Sequence, residues 1–304
     1  MPRRMNTDKY FPIARKISEA PFMPISIMSP QIRMSRSTIS RCIIRMYEEQ
    51  RLVGPWLSMN PHENYSQYVY FMNFSDPLHI FEGLKGFPHV MYNALTFGEW
   101  NTLIIAEKSL EFSVLKGFQS EIWRGEKGFT YTPPVARISW EQSWREVKQR
   151  LGIGLLKRDE KAKKLMVLDW GEREWKLYHA FKSNMRQPVK PILRNLGMRY
   201  GPFIQWKKSL PEHCGIHTEF YPQPVGTFTN HCLLFKSRYI GAVEEVFSMF
   251  PTTPIFVEMG DSVLVYVKMT SDMTSNLIDM VYNMKERGIV EDARYAVIFK
   301  EHGR

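Results

Sequence analysis

The sequence predicts an α+β protein: two winged helix-turn-helix domains, each followed by a ferredoxin-like βαββαβ domain, made by tandem duplication. Three observations predict it. Residues 8–54 carry apolar side chains at helical spacing. From Gln67 onward the period shortens toward that of strands, with two helical stretches between them. Both patterns then recur at an offset of about 162 to 164 residues, too regular over so long a stretch to arise by chance.

Asp8 to Ala20 gives a helix through Tyr10, Ile13, Ala14 and Ile17, stopped by Pro21 and Pro24. Ile25 to Ile32 makes a second, short helix. Met34-Ser35 turns into a third of roughly four turns, opened by Ser35 and stopped before Gly54-Pro55. Ile39, Cys42, Ile43 and Met46 face inward on it. Three helices with a short turn between the last two make a helix-turn-helix. Trp56 to Met59 and Tyr65 to Phe74 are extended and supply a short wing. The ferredoxin-like part follows as strand Tyr68–Phe74, helix Pro77–Lys85, strand Val90–Phe97, strand Thr102–Ala106, helix Phe112–Trp123 (Val114, Leu115, Phe118 and Ile122 inward) and strand Phe129–Val135.

The second copy is read at Trp175–Phe181, Ile192–Leu196 and Met198–Leu210 for the helices. It continues at Phe228–Phe235, Ala242–Phe250, Met259–Val265, Leu277–Lys285 and Tyr295–Phe299. The domains are therefore 1–60, 61–137, a charged linker 138–168, 169–225 for a second winged helix-turn-helix with a weaker signature, and 226–304. Trp140 and Trp144 lie four apart, as in a helix resting on a domain.

The net charge of +10 is unevenly spread. Residues 1–60 carry +6, 61–135 −3, 136–176 +4, 177–225 +5 and 226–304 −2. Basic segments alternating with mildly acidic ones suggest two polyanion-facing modules, each tied to a neutral partner. Cys42, Cys214 and Cys232 are odd in number and lack Cys-x-x-Cys spacing, which argues against a disulfide framework or a cysteine zinc site. No apolar run approaches the length of a membrane span, so the cytoplasm is expected and no membrane partner.

On the third helix Arg36, Ser37, Thr38, Ser40, Arg41 and Arg45 form a basic, hydroxyl-bearing face suited to double-stranded DNA: hydroxyls and helix N-terminus to phosphate, arginine to phosphate or guanine. The plain alternative is a solvated surface face. Tyr200, Gln205 and Lys208 are the corresponding outward residues of the second copy, with Phe203, Trp206 and Leu210 inward. Among eight histidines, His213 and His217 lie four apart, but Gly215 between them reads as a helix exit. No metal, no cofactor and no catalytic set of Ser/His/Asp, P-loop or Gly-x-Gly-x-x-Gly type is expected.

Met34-Ser-Arg-Ser-Thr-Ile-Ser-Arg41, the exit Glu48-Glu-Gln-Arg-Leu-Val-Gly54, and the turn Thr96-Phe-Gly-Glu-Trp-Asn101 before an apolar strand resemble the Lrp/AsnC family of prokaryotic transcription regulators, over about 120 residues of each half. The resemblance implies a regulator that is not an enzyme. It implies DNA binding by dimers or larger assemblies and a small effector between the ferredoxin-like domains, at Gly98, Glu99 and Asn101 and at Gly260 and Asp261. Asn101 departs from the family's aspartate, and the tandem layout suggests an internal pseudo-dimer. The plain reading of both glycine positions is a tight hairpin turn. An alternative of another class stays open: siroheme decarboxylases resemble the same architecture and work as two related halves. A fused pair could then be a tetrapyrrole enzyme, with His89 and Tyr92 the first residues to inspect.

Overall fold

The computed structural model describes residues 9–134, 136–153 and 165–303. The basic tail Met1 to Arg4 and the run Lys157 to Lys164 lie outside the described residues. The first half runs α1 (Tyr10–Glu19), α2 (Ile25–Ile32), α3 (Arg36–Glu48), β1 (Leu52–Met59), β2 (Gln67–Phe74), α4 (Pro77–Gly83), β3 (Val90–Gly98), β4 (Thr102–Ala106), β5 (Phe118–Lys127) and β6 (Thr130–Tyr131). After α5 (Trp140–Ile153) come α6 (Glu172–Phe181), α7 (Val189–Asn195), α8 (Tyr200–His213), β7 (Cys214–Phe220), β8 (Thr229–Lys236), α9 (Ile240–Phe247), β9 (Ile255–Met259), β10 (Ser262–Met269), α10 (Thr274–Glu286) and β11 (Asp292–His302). This is the α+β class expected, with two helix-turn-helix units and two ferredoxin-like sheets.

The Ser35 hydroxyl caps α3, accepting from the Thr38 amide at 3.2 Å and satisfying a donor with no partner inside the helix. α3 is shorter than expected. It ends at Glu48, Gln50 turns the chain at φ 52°, and Leu52 already belongs to the wing.

Each half has the ferredoxin strand order, β5-β2-β4-β3 and β11-β8-β10-β9, and β3 pairs antiparallel with β11 to merge them into one sheet. β5 leads through Gly128 straight into β6, which pairs with β9 at the far end, so the sheet closes on itself. The Gly128 amide donates to Glu258 O at 2.7 Å. A Cβ at Gly128 would lie 3.0 Å from Glu258 Cβ, so glycine is what lets the closing strands meet. Inside the closed sheet Val69, Phe71, Trp100, Leu103, Leu234, Leu264 and Ile298 pack together. Each large apolar side chain fully buried there contributes about 1.5–3 kcal/mol.

Two local expectations are corrected. Phe112–Trp123 is not a helix: 107–117 is loop, and Phe118–Lys127 is the fourth ferredoxin strand, in place of Phe129–Val135. Gly117 sits at φ 85°, which breaks a helix there, and Phe112 packs edge-on to Tyr70 at 4.9 Å where the missing helix would lie. Val114, expected inward, is 79% exposed. The repeat offset consequently grows from 162 residues (Gln67 to Thr229) to 174 (Phe118 to Asp292), because only the second half carries the helix α10. α5 lays Trp144, Val147 and Leu151 on the core of the second half, and Arg150 pairs with Glu245.

The wings do not stand free. β1 and β7 pair with each other antiparallel, Leu52 opposite Phe220 and Met59 opposite Cys214. One end of this ribbon (Leu52, Phe220) packs into the first helical bundle, the other (Leu57, Met59, Cys214) into the second.

Candidate functional site

Under the β1–β7 ribbon lies a cavity of about 230 Å³, bounded below by Tyr92, Ile105, Val257 and Tyr266 of the closed sheet. Trp56, Leu57, Ser58 and Met59 form its roof, Lys127 and Thr130 one wall, and Tyr178 and Lys182 another. Its lining is chiefly apolar, so the few polar groups in it stand out.

The ribbon positions Ser58 and Glu219 among them and, outside the cavity lining, His217. Ser58 faces Gly215 across the pair, and a Cβ at Gly215 would lie 2.4 Å from His217 Nε2, so the glycine is what admits the imidazole. His217 is buried, with Nε2 2.7 Å from Ser58 Oγ and Nδ1 3.3 Å from Thr132 Oγ1. Burial, reinforced by the Lys127 charge, pushes its pKa down to about 3, so it is neutral at ordinary pH. The Trp56 ring lies 4.3 Å from it and donates through Nε1 to Glu219 Oε1 at 2.8 Å. The other Glu219 oxygen accepts from Tyr221, and Lys268 Nζ lies 4.0 Å away, so this carboxylate, 1% exposed, is bracketed by donors.

Lys127 is different. It is 7% exposed, and among the described residues its ammonium donates only to Met59 O at 3.3 Å and, at 3.5 Å, to Gly128 O. Desolvation lowers its pKa to about 8.

A second, open cleft of about 680 Å³ is lined by Tyr65, Tyr68, Glu107, Lys108, Trp175 and His179, among others. Side chains lining the two spaces touch one another. Gln67, lining the cavity, donates to the Tyr65 hydroxyl at 3.1 Å, and Tyr178 packs edge-on to Trp175 at 5.7 Å. His89 Nδ1 lies 2.7 Å from Glu107 on the cleft, and Tyr92 lines the cavity while donating to Glu301 at 2.9 Å. Of the two residues singled out for a tetrapyrrole site, Tyr92 lines the cavity, whereas His89 reaches the cleft only through Glu107. No arginine lines either among the described residues.

The other sequence candidates lie elsewhere. Arg36, Ser37, Arg41 and Arg45 are exposed on α3, with Thr38 and Ser40 half-buried beside them, and Tyr200, Gln205 and Lys208 are exposed on α8. Gly98 and Glu99 stand at the seam of the halves, where Glu99 accepts from the Tyr295 amide at 3.1 Å. Asn101 is used structurally, bonding the Phe74 amide at 3.0 Å and its carbonyl at 2.8 Å. Gly260 and Asp261 make the β9–β10 turn, with Asp261 paired to Lys236 at 3.6 Å. None of these residues lines the cavity. His213 meets His62 (3.1 Å) rather than His217, and among the described residues no group of three or more His, Cys, Asp or Glu could hold a metal ion. Lys127, His217 and Glu219 were missed. Only the alternation His217-x-Glu219 on one strand face carried any signal.

No family model matches the chain, and no curated protein matches its sequence. Among the solved structures that match in fold are two of one protein. One is the siroheme decarboxylase NirDL, at a TM-score of 0.53 and 12% identity, covering 97% of this chain and 91% of that one. The other is NirDL in co-complex with an iron-uroporphyrin III analogue, at 0.51 and 10%, covering 96% and 92%. These likenesses overturn the expectation of an Lrp/AsnC-type, non-enzymatic regulator with double-stranded DNA as partner: the matched arrangement, halves and all, is that of an enzyme. The physical reason lies in the ribbon. The wings of a DNA reader stand free, whereas here they are paired, buried and form the roof of a cavity. The basic face of α3 that prompted the DNA reading is an exposed helix face carrying local pairs such as Arg45–Glu49 at 3.6 Å. No described helix is long and apolar enough to cross a membrane.

Proposed function

We propose that the chain is an enzyme acting on a carboxylate-bearing tetrapyrrole, of siroheme decarboxylase type, built from two fused halves. The observation that carries this reading is the extent of the fold match. It runs through both helix-turn-helix units, the ribbon and the closed sheet together, over 97% of this chain.

The geometry fits such a substrate in two parts. Binding pockets for small molecules and cofactors span about 300–1,000 Å³; the open cleft, at about 680 Å³, falls in that range, while the inner cavity of about 230 Å³ admits only a side arm. In decarboxylation the bond between the arm carbon and its carboxyl carbon breaks, carbon dioxide leaves, and the electron pair left on the arm carbon takes a proton. Trp175, Tyr65 and Tyr68 offer aromatic faces to a macrocycle. His179 and the His89–Glu107 pair are the proton carriers at the cleft. The three unbridged cysteines agree with a reducing compartment, and we place the protein in the cytoplasm.

The reading is tested by incubating the purified chain with siroheme under anaerobic conditions and following the product by mass spectrometry. Loss of carbon dioxide from the substrate is expected. A substrate recovered unchanged after prolonged incubation with excess protein would sink it.

A further inference from the structure

Lys127 is a buried cation with no carboxylate in contact among the described residues; the Glu258 charge attracts it without ion-pairing. Its ammonium has three donors, and its only hydrogen-bond acceptors among the described residues are two backbone carbonyls, at 3.3 and 3.5 Å. No described carboxylate lies within ion-pairing distance of it. Lys268, the other buried lysine, has Glu219 at 4.0 Å. A second observation points to the same space: Thr130 Oγ1, on the same cavity wall, is buried with no hydrogen-bond partner among the described residues. Buried cations are found with an anion, and buried hydroxyls with a partner. Here both of these groups lack theirs; Met59, Met91, Ile105 and Val257 supply apolar surface, and the Glu219 carboxylate that also lines the cavity is already bracketed by Trp56, Tyr221 and Lys268.

We propose that the inner cavity binds a carboxylate, held by the Lys127 ammonium and the Thr130 hydroxyl, with its apolar arm against Met91, Ile105 and Val257. Resting on the tetrapyrrole reading, this carboxylate is a peripheral arm that is retained, not the one lost. An ammonium pairs with the carboxylate in the ground state and loses that pairing as charge leaves the oxygens, so it would slow carbon dioxide loss from the arm it holds. Lys127 is then a positioning residue: by fixing one arm it decides which other arm reaches the proton donors. The same chemistry could be satisfied by a free aliphatic carboxylic acid small enough for the cavity.

The test is a binding titration of the full chain and its Lys127→Met and Thr130→Val variants. The probes are iron uroporphyrin III, iron octaethylporphyrin (which has no carboxylates) and hexanoate. Loss of one charge-assisted contact should weaken iron uroporphyrin III binding about 10- to 100-fold in Lys127→Met and several-fold in Thr130→Val, with octaethylporphyrin unaffected. Equal binding of iron uroporphyrin III by wild type and Lys127→Met overturns the assignment and leaves the tetrapyrrole reading standing. If iron uroporphyrin III fails to bind but hexanoate binds wild type and not Lys127→Met, the carboxylate site holds and the tetrapyrrole reading falls. If no carboxylate probe binds wild type, both fall. Thermal melting of each variant confirms that it is folded.

Discussion

Lys127→Met should make the protein more stable at neutral pH, although it deletes a charged residue from a buried position. Burial takes the Lys127 pKa from 10.5 to about 8. At about 1.36 kcal/mol per unit, the fold bears a penalty of roughly 3 kcal/mol for keeping this side chain charged. Removing the two long hydrogen bonds to Met59 O and Gly128 O gives back about 0.5–1.5 kcal/mol each, leaving a net gain of about 1–2 kcal/mol. Methionine has a similar volume and suits an apolar lining, so no cavity is created. The pH dependence follows from the same shift. Between pH 8 and 10.5 the unfolded chain binds the extra proton and the folded one does not, so the wild type gains stability as pH rises through that window. The advantage of the variant is therefore full below pH 8 and is lost by 10.5. Differential scanning calorimetry of both proteins at about pH 7 and about pH 10 measures it, with a rise in Tm of a few degrees expected at the lower pH. A clear drop in Tm at neutral pH would refute the reasoning, because it would mean that Lys127 already has an anionic partner in the fold.

Glu219→Ala leaves the Trp56 indole, the Tyr221 hydroxyl and the Lys268 ammonium facing an empty buried position, and should cost about 3–5 kcal/mol in urea unfolding; a loss under 1 kcal/mol would mean that the network is not formed. Gly98→Ala should weaken the seam between the halves by about 2 kcal/mol or more, since Gly98 sits at φ 151° and a Cβ there would lie 2.4 Å from Tyr295 O; hydrogen exchange of the β3 and β11 amides reads this directly. His217 and His231 are held neutral by burial, at about 3 and about 4. Below their ordinary value of 6.5 the unfolded state binds protons that the fold refuses, so stability is full above 6.5 and falls progressively as pH drops toward 4 and 3. NMR should find neither imidazole titrating between about pH 5 and 8; titration of either near 6.5 contradicts the burial argument.

Local patterns were legible in the sequence wherever one residue set its own surroundings. Ser35 capped α3 as read, Ile39, Ile43 and Met46 faced inward, and Thr102–Ala106 was a strand at those bounds. The stretch Phe112–Trp123 misled because its apolar residues fit both periods. Gly117 at φ 85° and the packing of Phe112 against Tyr70 decided it, and that packing is a tertiary fact. The site itself was out of reach for a related reason. Trp56 and Glu219 are 163 residues apart and meet only because the wings pair with each other. Lys127 stands in Gly-Glu-Lys-Gly, where nothing in the sequence separates a buried lysine from a solvated one. The charge segregation was real, but an exposed basic face on α3 says nothing of what the buried ribbon does.

Tetrapyrrole binding by this fold is tested most directly by anaerobic titration of the purified full chain with iron uroporphyrin III, following the Soret band. A saturable shift at a stoichiometry of one per chain, competed by siroheme, is predicted. An unshifted band throughout the titration, with the protein folded by calorimetry, would contradict it.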